Sequence, residues 1–306
     1  MSAARETLDL KARLAEESAT INLALGRVVR ERWGPADRGC AAAIRYALEA
    51  GGKRLRPVVC LAAYRAVLRA DGSPGIYDVA CSLELIHTYS LMHDDLPCMD
   101  DDALRRGRPT AHRVFGSPCA TVAAAAMIPA AFVVLERGAT ALALDADRRT
   151  SMAHALGRAA GAGGMVGGQV MDLAAEGGRP DLFVLEAIHR RKTGALFAGA
   201  ARLGALAACA PPETVDAMGA YGGSLGLAFQ VADDILDETG AATVLGKDAG
   251  RDRVRGKATF ATLLGVAGAK ERATAAVADA VAALSGAGVQ DDVLEALARF
   301  SVERDR

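Results

Sequence analysis

The sequence predicts an all-α fold, and two observations support this. Apolar residues recur at three- and four-residue spacing from residues 8–33 onward, which is the period of a helix with one buried face. Short runs of alternating β-branched residues, the usual mark of a strand, are nearly absent. Because 51% of the 306 residues are hydrophobic and only 4% aromatic, the chain can build a sizeable core from aliphatic side chains. The expected architecture is a bundle of long helices.

Stretches with glycine or proline divide the chain into individual helices, because these residues end or interrupt regular structure. In chain order the breaks fall at Gly51–Gly52, 70–75, 115–118, 174–181, 210–213 and 238–250. Helices of roughly 10 to 25 residues are expected between them. Since no linker or shift in composition separates two parts of the chain, residues 1–306 are predicted to form a single domain.

Charge and cysteine content exclude several classes of partner. With 36 basic and 37 acidic residues the net charge is −1, which gives no general reason to expect nucleic acid or an anionic membrane as a partner. Six cysteines without CxxC spacing predict reduced, mostly buried thiols, as in a cytoplasmic protein. The amino terminus lacks the apolar stretch of a signal peptide, and alanine-rich runs are interrupted before about 20 residues. We therefore expect a cytoplasmic protein without a membrane span.

Two aspartate clusters stand out against this balanced charge. HDDLPCMDDD at 93–102 and DDILD at 233–237 each follow an apolar helical run. In the second cluster Asp233 and Asp237 are four residues apart, so both carboxylates project from one face of a helix. A single aspartate run is usually a solvated helix end or loop. Two runs that each continue a core-facing stripe predict instead a cavity lined by acids.

The first cluster is interrupted where the second is not. Four residues, among them Pro97, separate Asp95 from Asp100, and the proline should distort the helix. We expect the extra residues to bulge so that Asp100 can approach Asp94. Two carboxylates about 4 Å apart repel by about 4 kcal/mol at an effective dielectric constant of about 20, which favours protonation or a bound cation. Oxygen ligands without histidine or thiolate suit Mg²⁺.

Basic and polar residues supply donors for phosphate groups, and arginine forks fit diphosphate oxygens. The candidates are Lys53, Arg54, Arg56, Arg105, Arg106, Arg108, Lys192, Thr193, Gln230, Lys247 and Lys257. Acids for several metal ions, together with donors for two polyanions, predict two diphosphates bound side by side. Asp101 and Asp102 are expected to orient Arg105 and Arg106 or to meet solvent, and His93 is expected to be a neighbour of the site.

Six motifs in this order resemble those of the trans-isoprenyl diphosphate synthase family, most of all its bacterial members that make farnesyl diphosphate. They are GGKRLRP, HDDLPCMDDDALRRGRPT, GGQVMDL, HRRKTGAL, FQVADDILD and LGKDAGRDRVRGKATF, and they run from Gly51 to Phe260. The resemblance implies the isoprenoid synthase fold, in which long helices surround a central cavity, and a homodimer. It also implies that the substrates are isopentenyl diphosphate and an allylic diphosphate.

The resemblance also implies a role for each matching residue. Three Mg²⁺ ions, which Mn²⁺ can replace, would be held on the allylic diphosphate by Asp94, Asp95, Asp100, Asp233, Asp234 and Asp237. The allylic diphosphate would be bound by Arg105, Lys192, Thr193, Gln230, Lys247 and Lys257, and isopentenyl diphosphate by Lys53, Arg56, His87 and Arg106. The residues implied in catalysis itself are Asp94, Asp100, Arg105, Lys192, Asp233 and Lys247. Pyrophosphate would leave, and the alkene of isopentenyl diphosphate would attack the allylic cation.

Tyr89 and Ser90 are the candidates that set product length. They precede Asp94 by five and four positions, so they lie roughly one helical turn deeper, where a growing hydrocarbon tail would run. In the family an aromatic residue at this place goes with a C15 product, and small residues go with C20 or longer. We therefore expect condensation with dimethylallyl and geranyl diphosphate to give (2E,6E)-farnesyl diphosphate.

Four alternatives stay open at this point. The first is a synthase of the C20 product, geranylgeranyl diphosphate. A class I terpene cyclase is a second, although DDILD and GGKRLRP count against it. A metal phosphohydrolase of the His-Asp type would need His87, His93 and His112 as ligands and would leave most of the aspartates unexplained. A non-catalytic partner subunit would be expected to lose one acidic cluster, and this chain keeps both.

Overall fold

The structure is a computed structural model that describes residues 9–34, 39–178, 180–239 and 258–303. Helices dominate these residues, which confirms the all-α prediction. The helices are α1 (Leu10–Trp33), α2 (Cys40–Leu48), α3 (Leu55–Leu68), α4 (Ile76–Asp94), α5 (Ala111–Phe115), α6 (Ser117–Ala141), α7 (Ala146–Ala160), α8 (Met165–Ala175), α9 (Leu182–His189), α10 (Ala195–Ala207), α11 (Pro212–Thr239), α12 (Phe260–Gly286) and α13 (Asp292–Glu303). A π-helical turn, Arg190–Gly194, joins α9 to α10. An antiparallel hairpin pairs β1 (Leu104–Arg105) with β2 (Arg108–Pro109).

Helix boundaries follow the predicted breaks, and side-chain caps explain several of them. Gly51 and Gly52 separate α2 from α3, and α11 begins within the predicted break at 210–213. Asp145 and Asp181 accept hydrogen bonds from the backbone N–H groups three residues on, which satisfies free donors at the starts of α7 and α9. Most of the predicted break at 238–250 lies outside the described residues.

The core is made of aliphatic side chains, as the composition predicted. Helix α4 packs along α6, α10 lies against both α3 and α11, and α12 packs along α11. A fully buried leucine, isoleucine or valine contributes about 1.5–3 kcal/mol through the hydrophobic effect. Buried Tyr221 adds a polar tie, because its hydroxyl donates to the carbonyl of Leu294 at 2.8 Å and joins α11 to α13. The single-domain assignment of residues 1–306 stays a prediction.

Two local expectations were wrong. Helix α6 continues through Pro129, so this alanine-rich run is not interrupted before about 20 residues. Two of the six cysteines, Cys60 and Cys81, are buried, two are partly buried and two are exposed, so the thiols are not mostly buried. None of the six forms a disulfide. Burial raises the pKa of the Cys60 and Cys81 thiols, which keeps them protonated and unreactive.

Among the described residues, helix α6 is the one helix long and apolar enough to cross a membrane. It packs against α4, α2 and α7, as a core helix of a globular protein does. Core helices pass the same test of length and composition, so α6 is weak evidence for a membrane span.

The π-helical turn lies against α8, and a glycine permits the close approach. A Cβ atom on Gly168 would collide with the backbone of Lys192. The absence of a side chain at 168 therefore lets α8 pack directly on the turn that carries Lys192 and Thr193. Turns of this kind occur often at functional sites.

Candidate active site

A cavity of about 860 Å³ lies between α3, α4, α8, the π-helical turn and α11. Fourteen of the residues singled out from the sequence line it: Lys53, Arg54, Arg56, His87, Tyr89, Ser90, His93, Asp94, Arg105, Arg106, Lys192, Thr193, Gln230 and Asp233. The volume is in the range of a site for small-molecule substrates. The fold thus brings the two aspartate clusters and the predicted phosphate donors to one place.

The first cluster begins at the end of α4 and turns back on itself. Helix α4 ends at Asp94, before Pro97, because the residue before a proline disfavours helical geometry. The backbone N–H of Asp100 donates to the carbonyl of Asp94 at 2.9 Å. The extra residues therefore form turns, as expected, and they return Asp100 to the vicinity of Asp94.

Asp94 carries the electrostatic strain of this arrangement. Its pKa is raised to about 6, chiefly by burial and also by the charges of Asp100 and Asp95, while Lys192 and Arg105 oppose the shift. A carboxylate in this position gains from any cation placed beside it. The raised pKa thus indicates a site adapted to a cation rather than a solvated helix end.

Asp95 is not part of the cavity lining, and its carboxylate binds an arginine that is. It is 4% exposed, and its Oδ1 accepts from Nε of Arg105 at 2.9 Å and from Nη2 at 2.5 Å. Asp102, also buried, accepts from Nη2 of Arg105 at 3.3 Å. The expectation that Asp102 orients Arg105 agrees with this geometry. Asp101 instead pairs with Arg113 at 3.1 Å on the surface.

The second cluster lies on an uninterrupted helix, α11. Asp233 lines the cavity, while Asp234 is buried and 4% exposed. Asp234 accepts hydrogen bonds from the backbone N–H of Phe260 at 2.9 Å and from Nε2 of Gln230 at 3.4 Å. Asp237 follows one turn after Asp233, on the same face of the helix. Asp237, Asp95, Asp100 and Asp234 are not part of the cavity lining.

The π-helical turn supplies the donors between the two clusters. Nζ of Lys192 lies 2.6 Å from Oδ2 of Asp172 on α8. Oγ1 of Thr193 donates to Oε1 of Gln230 at 2.9 Å. The first contact joins the turn to α8, and the second joins the turn to α11.

One part of the cavity wall is basic. Arg56 lies 4.7 Å from the ring centroid of Phe197, and its Nη1 is 3.3 Å from Nε2 of His87. Burial lowers the pKa of Arg56 to about 10, and the charges of Glu84 and Asp233 oppose that shift. Burial and the nearby arginines hold the pKa of His87 well below its usual value. His87 is therefore neutral at pH 7, with Nε2 available to accept from Arg56.

A glycine pair makes room for Arg106. Gly51 and Gly52 have φ angles of +78° and +136°, and a Cβ atom on Gly52 would lie 2.6 Å from the Arg106 guanidinium. Nη1 of Arg106 donates to the carbonyl of Gly51. Lys53 follows directly at the edge of the same cavity. The sequence motif GGKRLRP thus acts with the hairpin that carries Arg106.

Sequence reasoning missed two polar residues of the cavity. Glu84 is buried on α4 and forms an ion pair with Arg54, whose guanidinium also donates to the carbonyl of Leu48 at 2.7 Å. A lone glutamate inside the apolar run LELIH was the available signal. Gln169 on α8 lines the cavity, and its Oε1 is buried without a hydrogen-bond partner among the described residues. It lies in GGQVMDL, a motif that was noted without a role for the glutamine.

The cavity also has an apolar part suited to a hydrocarbon. Tyr89 is 8% exposed and contacts the His93 ring edge-on at 5.0 Å, and Ser90 lines the same wall. Further apolar lining comes from α4, α8, α11 and neighbouring residues: Leu55, Leu91, Met99, Met165, Val166, Val170, Leu173 and Phe229. A charged end and an apolar end within one cavity suit an amphiphilic substrate.

The acidic residues fit magnesium held through a substrate's phosphates better than a ready-made metal cage. Within the described ranges, no three histidine, cysteine or acidic side chains converge in a way that could hold an ion. Mg²⁺ usually takes one or two carboxylates, with water and phosphate oxygens completing its shell. Asp94 and Asp233 on the cavity wall, with the raised pKa of Asp94, match that mode.

Of the remaining predicted residues, Lys247 and Lys257 lie outside the described residues, and Arg108 and His112 do not line this cavity. His112 is buried, and its Nδ1 is 3.1 Å from Oγ1 of Thr110. His87 has an arginine at its Nε2, which does not favour the His-Asp phosphohydrolase alternative.

Comparisons with known proteins agree with this site. The family model described as polyprenyl synthetase matches residues 37–298. The farnesyl diphosphate synthase of Geobacillus stearothermophilus is 40% identical over 297 residues, 95% of this chain and 97% of that protein. The farnesyl diphosphate synthase of Bacillus subtilis is 41% identical over 85% of this chain and 87% of that protein. Geranylgeranyl pyrophosphate synthase 7 of Arabidopsis thaliana is 44% identical over 80% of this chain and 70% of that protein.

Solved structures show the same fold. An FPP/GFPP synthase from Zymomonas mobilis superposes with a TM-score of 0.81 at 36% identity and covers 96% of this chain and 99% of that one. A geranylgeranyl pyrophosphate synthetase from Pyrococcus horikoshii gives a TM-score of 0.83 at 28% identity, over 97% of this chain and 98% of that one.

Proposed function

Because the chain belongs to the polyprenyl synthetase family and is therefore a prenyltransferase, we propose that it condenses isopentenyl diphosphate with dimethylallyl and then geranyl diphosphate to form farnesyl diphosphate. The observation that carries the proposal is that Asp94 and Asp233 line one cavity with Arg105 and Lys192. Acids and bases that face one another in this way can hold a diphosphate with its counter-cations.

The allylic diphosphate would lie between the two aspartate clusters. Its proposed ligands are Arg105, Lys192, Thr193, Gln230, Lys247 and Lys257, and its metal ions are proposed to bind Asp94, Asp100, Asp233 and Asp237. Asp95 and Asp234, which the resemblance also implied as ligands, are bound to protein groups and are proposed instead to hold the site in shape. When bound, Mg²⁺ would supply positive charge that stabilises the departing pyrophosphate. Lys192 and Arg105 add fixed positive charge at the same place. This charge lowers the activation free energy for breaking the bond between the allylic carbon and the diphosphate oxygen.

Isopentenyl diphosphate would occupy the basic wall, at Lys53, Arg56, His87 and Arg106. This wall has no aspartate among its proposed ligands, which fits a diphosphate that must stay intact. A neutral His87 contributes a hydrogen bond without adding charge. The alkene attacks the allylic cation, and the departing pyrophosphate can accept the proton. The proposal therefore needs no protein base.

We propose the C15 product because Tyr89 lines the cavity one turn before Asp94. A phenol ring at this depth shortens the apolar part of the cavity. Both farnesyl and geranylgeranyl diphosphate synthases are among the relatives, so geranylgeranyl diphosphate, C20, is the second candidate product.

We also propose a homodimer, as the resemblance implied. The outer face of α6 is apolar, with Val122 58% and Val133 45% exposed. Exposed apolar stripes on a long helix are typical of protein–protein interfaces. Light scattering after size-exclusion chromatography would give twice the chain mass for a dimer, and the mass of one chain would contradict it. A cytoplasmic location, expected from the free cysteines, belongs to the same proposal.

The decisive experiment measures pyrophosphate release with Mg²⁺ and either one or both substrates. We expect release only when isopentenyl diphosphate and dimethylallyl or geranyl diphosphate are both present, with a C15 alcohol after dephosphorylation. Release from the allylic substrate alone would point to a cyclase or a hydrolase. No release under any of these conditions would point to a non-catalytic subunit.

A further inference from the structure

Side chains of α11 hold the π-helical turn Arg190–Gly194 at both ends. At one end Oγ1 of Thr193 donates to Oε1 of Gln230 at 2.9 Å. At the other end Nε2 of His189 lies 3.2 Å from Oδ2 of Asp234, and the ring must donate because a carboxylate only accepts. Gln230 and Asp234 are four residues apart, on one face of α11. We call these four residues the clamp.

Asp234 is the centre of the clamp. Its Oδ1 accepts from Nε2 of Gln230 at 3.4 Å, and its Oδ2 accepts from His189 and from the backbone N–H of Phe260 at 2.9 Å. The His189 ring also stacks on the Phe260 ring at 5.5 Å. With a residue exposure of 4%, Asp234 joins the π-helical turn, α11 and the first residue of α12.

From this geometry we infer that Asp234 and His189 are positioning residues, which fix Lys192 against Asp94 and Asp233, and that Asp234 does not bind Mg²⁺. The inference rests on the proposed function. A π-helical turn contains one residue more than an α-helical turn would and has poorer hydrogen bonds, so it needs outside support. Relaxation to an α-helix would shift the register by one residue, which rotates Lys192 by about 100° around the axis. The clamp prevents that rotation.

The first test compares two neighbouring aspartates. Asp234→Asn keeps a carbonyl oxygen that can accept from the backbone N–H of Phe260, whereas Asp233→Asn removes a carboxylate from the cavity wall. Calorimetry with Mg²⁺ and inorganic pyrophosphate should show affinity for Asp234→Asn within about threefold of wild type, and a loss of about a hundredfold for Asp233→Asn. Equal losses in the two variants would overturn the inference, because they would make Asp234 a metal ligand.

The second test separates the clamp's hydrogen bond from its packing. His189→Phe keeps a ring against Phe260 but cannot donate to Asp234, and His189→Gln can donate. We expect kcat to fall about tenfold or more in His189→Phe, with KM for isopentenyl diphosphate unchanged, and to recover in His189→Gln. Normal kcat in His189→Phe, or equal loss in both variants, would contradict a positioning role.

A third readout needs no activity, so it remains valid even if the proposed reaction is wrong. Without metal, His189→Phe should lower the Tm, because Asp234 then lacks a buried donor, and His189→Gln should restore most of it. Asp233→Asn should leave Tm unchanged or raise it, since it removes a negative charge near Asp234. A Tm for His189→Phe at or above that of wild type would show that the clamp does not hold the turn.

Discussion

The two aspartate clusters have similar sequences but different backbone structures. The second lies on one continuous helix, α11, so its spacing is fixed by helix geometry alone. The first begins at the last residue of α4, and turns around Pro97 return Asp100 to Asp94. A cluster at a helix end depends on loop contacts, whereas a cluster within a helix does not. Two similar aspartate motifs are therefore held in place by different structures, one by a helix and the other by turns.

The two clusters share one structural feature that their sequences do not indicate. In each, the first aspartate of the pair lines the cavity, and the second is buried and bound to protein groups. Asp95 holds Arg105, and Asp234 holds Phe260 and His189. One member of each pair thus faces the substrate, while the other fixes the structure around it.

The largest effect is expected from the cavity-facing members. Asp94→Ala and Asp233→Ala should each lower kcat/KM by about a thousandfold or more, because each removes a carboxylate proposed to carry cations on the leaving group. Pyrophosphate release gives the rates, and circular dichroism checks the fold. Asp71→Asn, on an exposed loop, is the control and should be normal. Near-normal rates in both alanine variants would defeat the metal assignment.

The buried member of the first pair should matter less. Asp95→Asn keeps one acceptor for Arg105 but loses the charge of the pair, so we expect kcat/KM to fall by about ten- to a hundredfold. In Asp102→Asn, kcat/KM should fall less, because the contact that Asp102 makes with Arg105 is longer. Kinetics at several Mg²⁺ concentrations should show an unchanged Mg²⁺ requirement for Asp95→Asn. If the requirement rises as much as in Asp94→Asn, Asp95 is itself a ligand.

The effect of pH on stability and on Mg²⁺ binding is expected to come from the protonation of Asp94. Its raised folded-state pKa, about 6, means that the metal-free native state binds a proton more tightly than the unfolded chain does. The ionised side chain therefore lowers stability as pH rises from the unfolded pKa of about 3.9 to about 6. In the same range Mg²⁺ must displace the proton, so affinity for Mg²⁺ with pyrophosphate should fall about tenfold per pH unit below 6. Calorimetry at pH 5, 6 and 7 measures this, and a flat profile would contradict it.

The smallest effect on rate, but a clear one on product, is expected one turn below the first cluster. Tyr89→Ala should lengthen the apolar end of the cavity and shift the product from C15 toward C20, with turnover within about tenfold of wild type. Tyr89→Phe keeps the ring and should keep C15. Chromatography of the dephosphorylated products decides this. An unchanged product length in Tyr89→Ala would show that Tyr89 does not determine the chain length.

Much of the site could be predicted from the sequence because its parts are local patterns. The i and i+4 spacing of Asp233 and Asp237 placed them on one helical face, and glycine pairs marked helix ends. Which member of an aspartate pair faces the cavity could not be predicted. Neighbours on a helix differ by about 100°, and the orientation of α11 depends on packing against α10 and α12. Glu84 was missed because a single acid in an apolar run leaves the period unchanged.

The most direct test of the account is a crystal structure of the protein with Mg²⁺ and inorganic pyrophosphate. We predict metal density between Asp94 and Asp233, with pyrophosphate oxygens completing the shell. Asp95 should still contact Arg105, and Asp234 should still contact Phe260 and His189. Metal density on Asp95 or Asp234, or on one cluster alone, would contradict the claim that the two clusters form one diphosphate site.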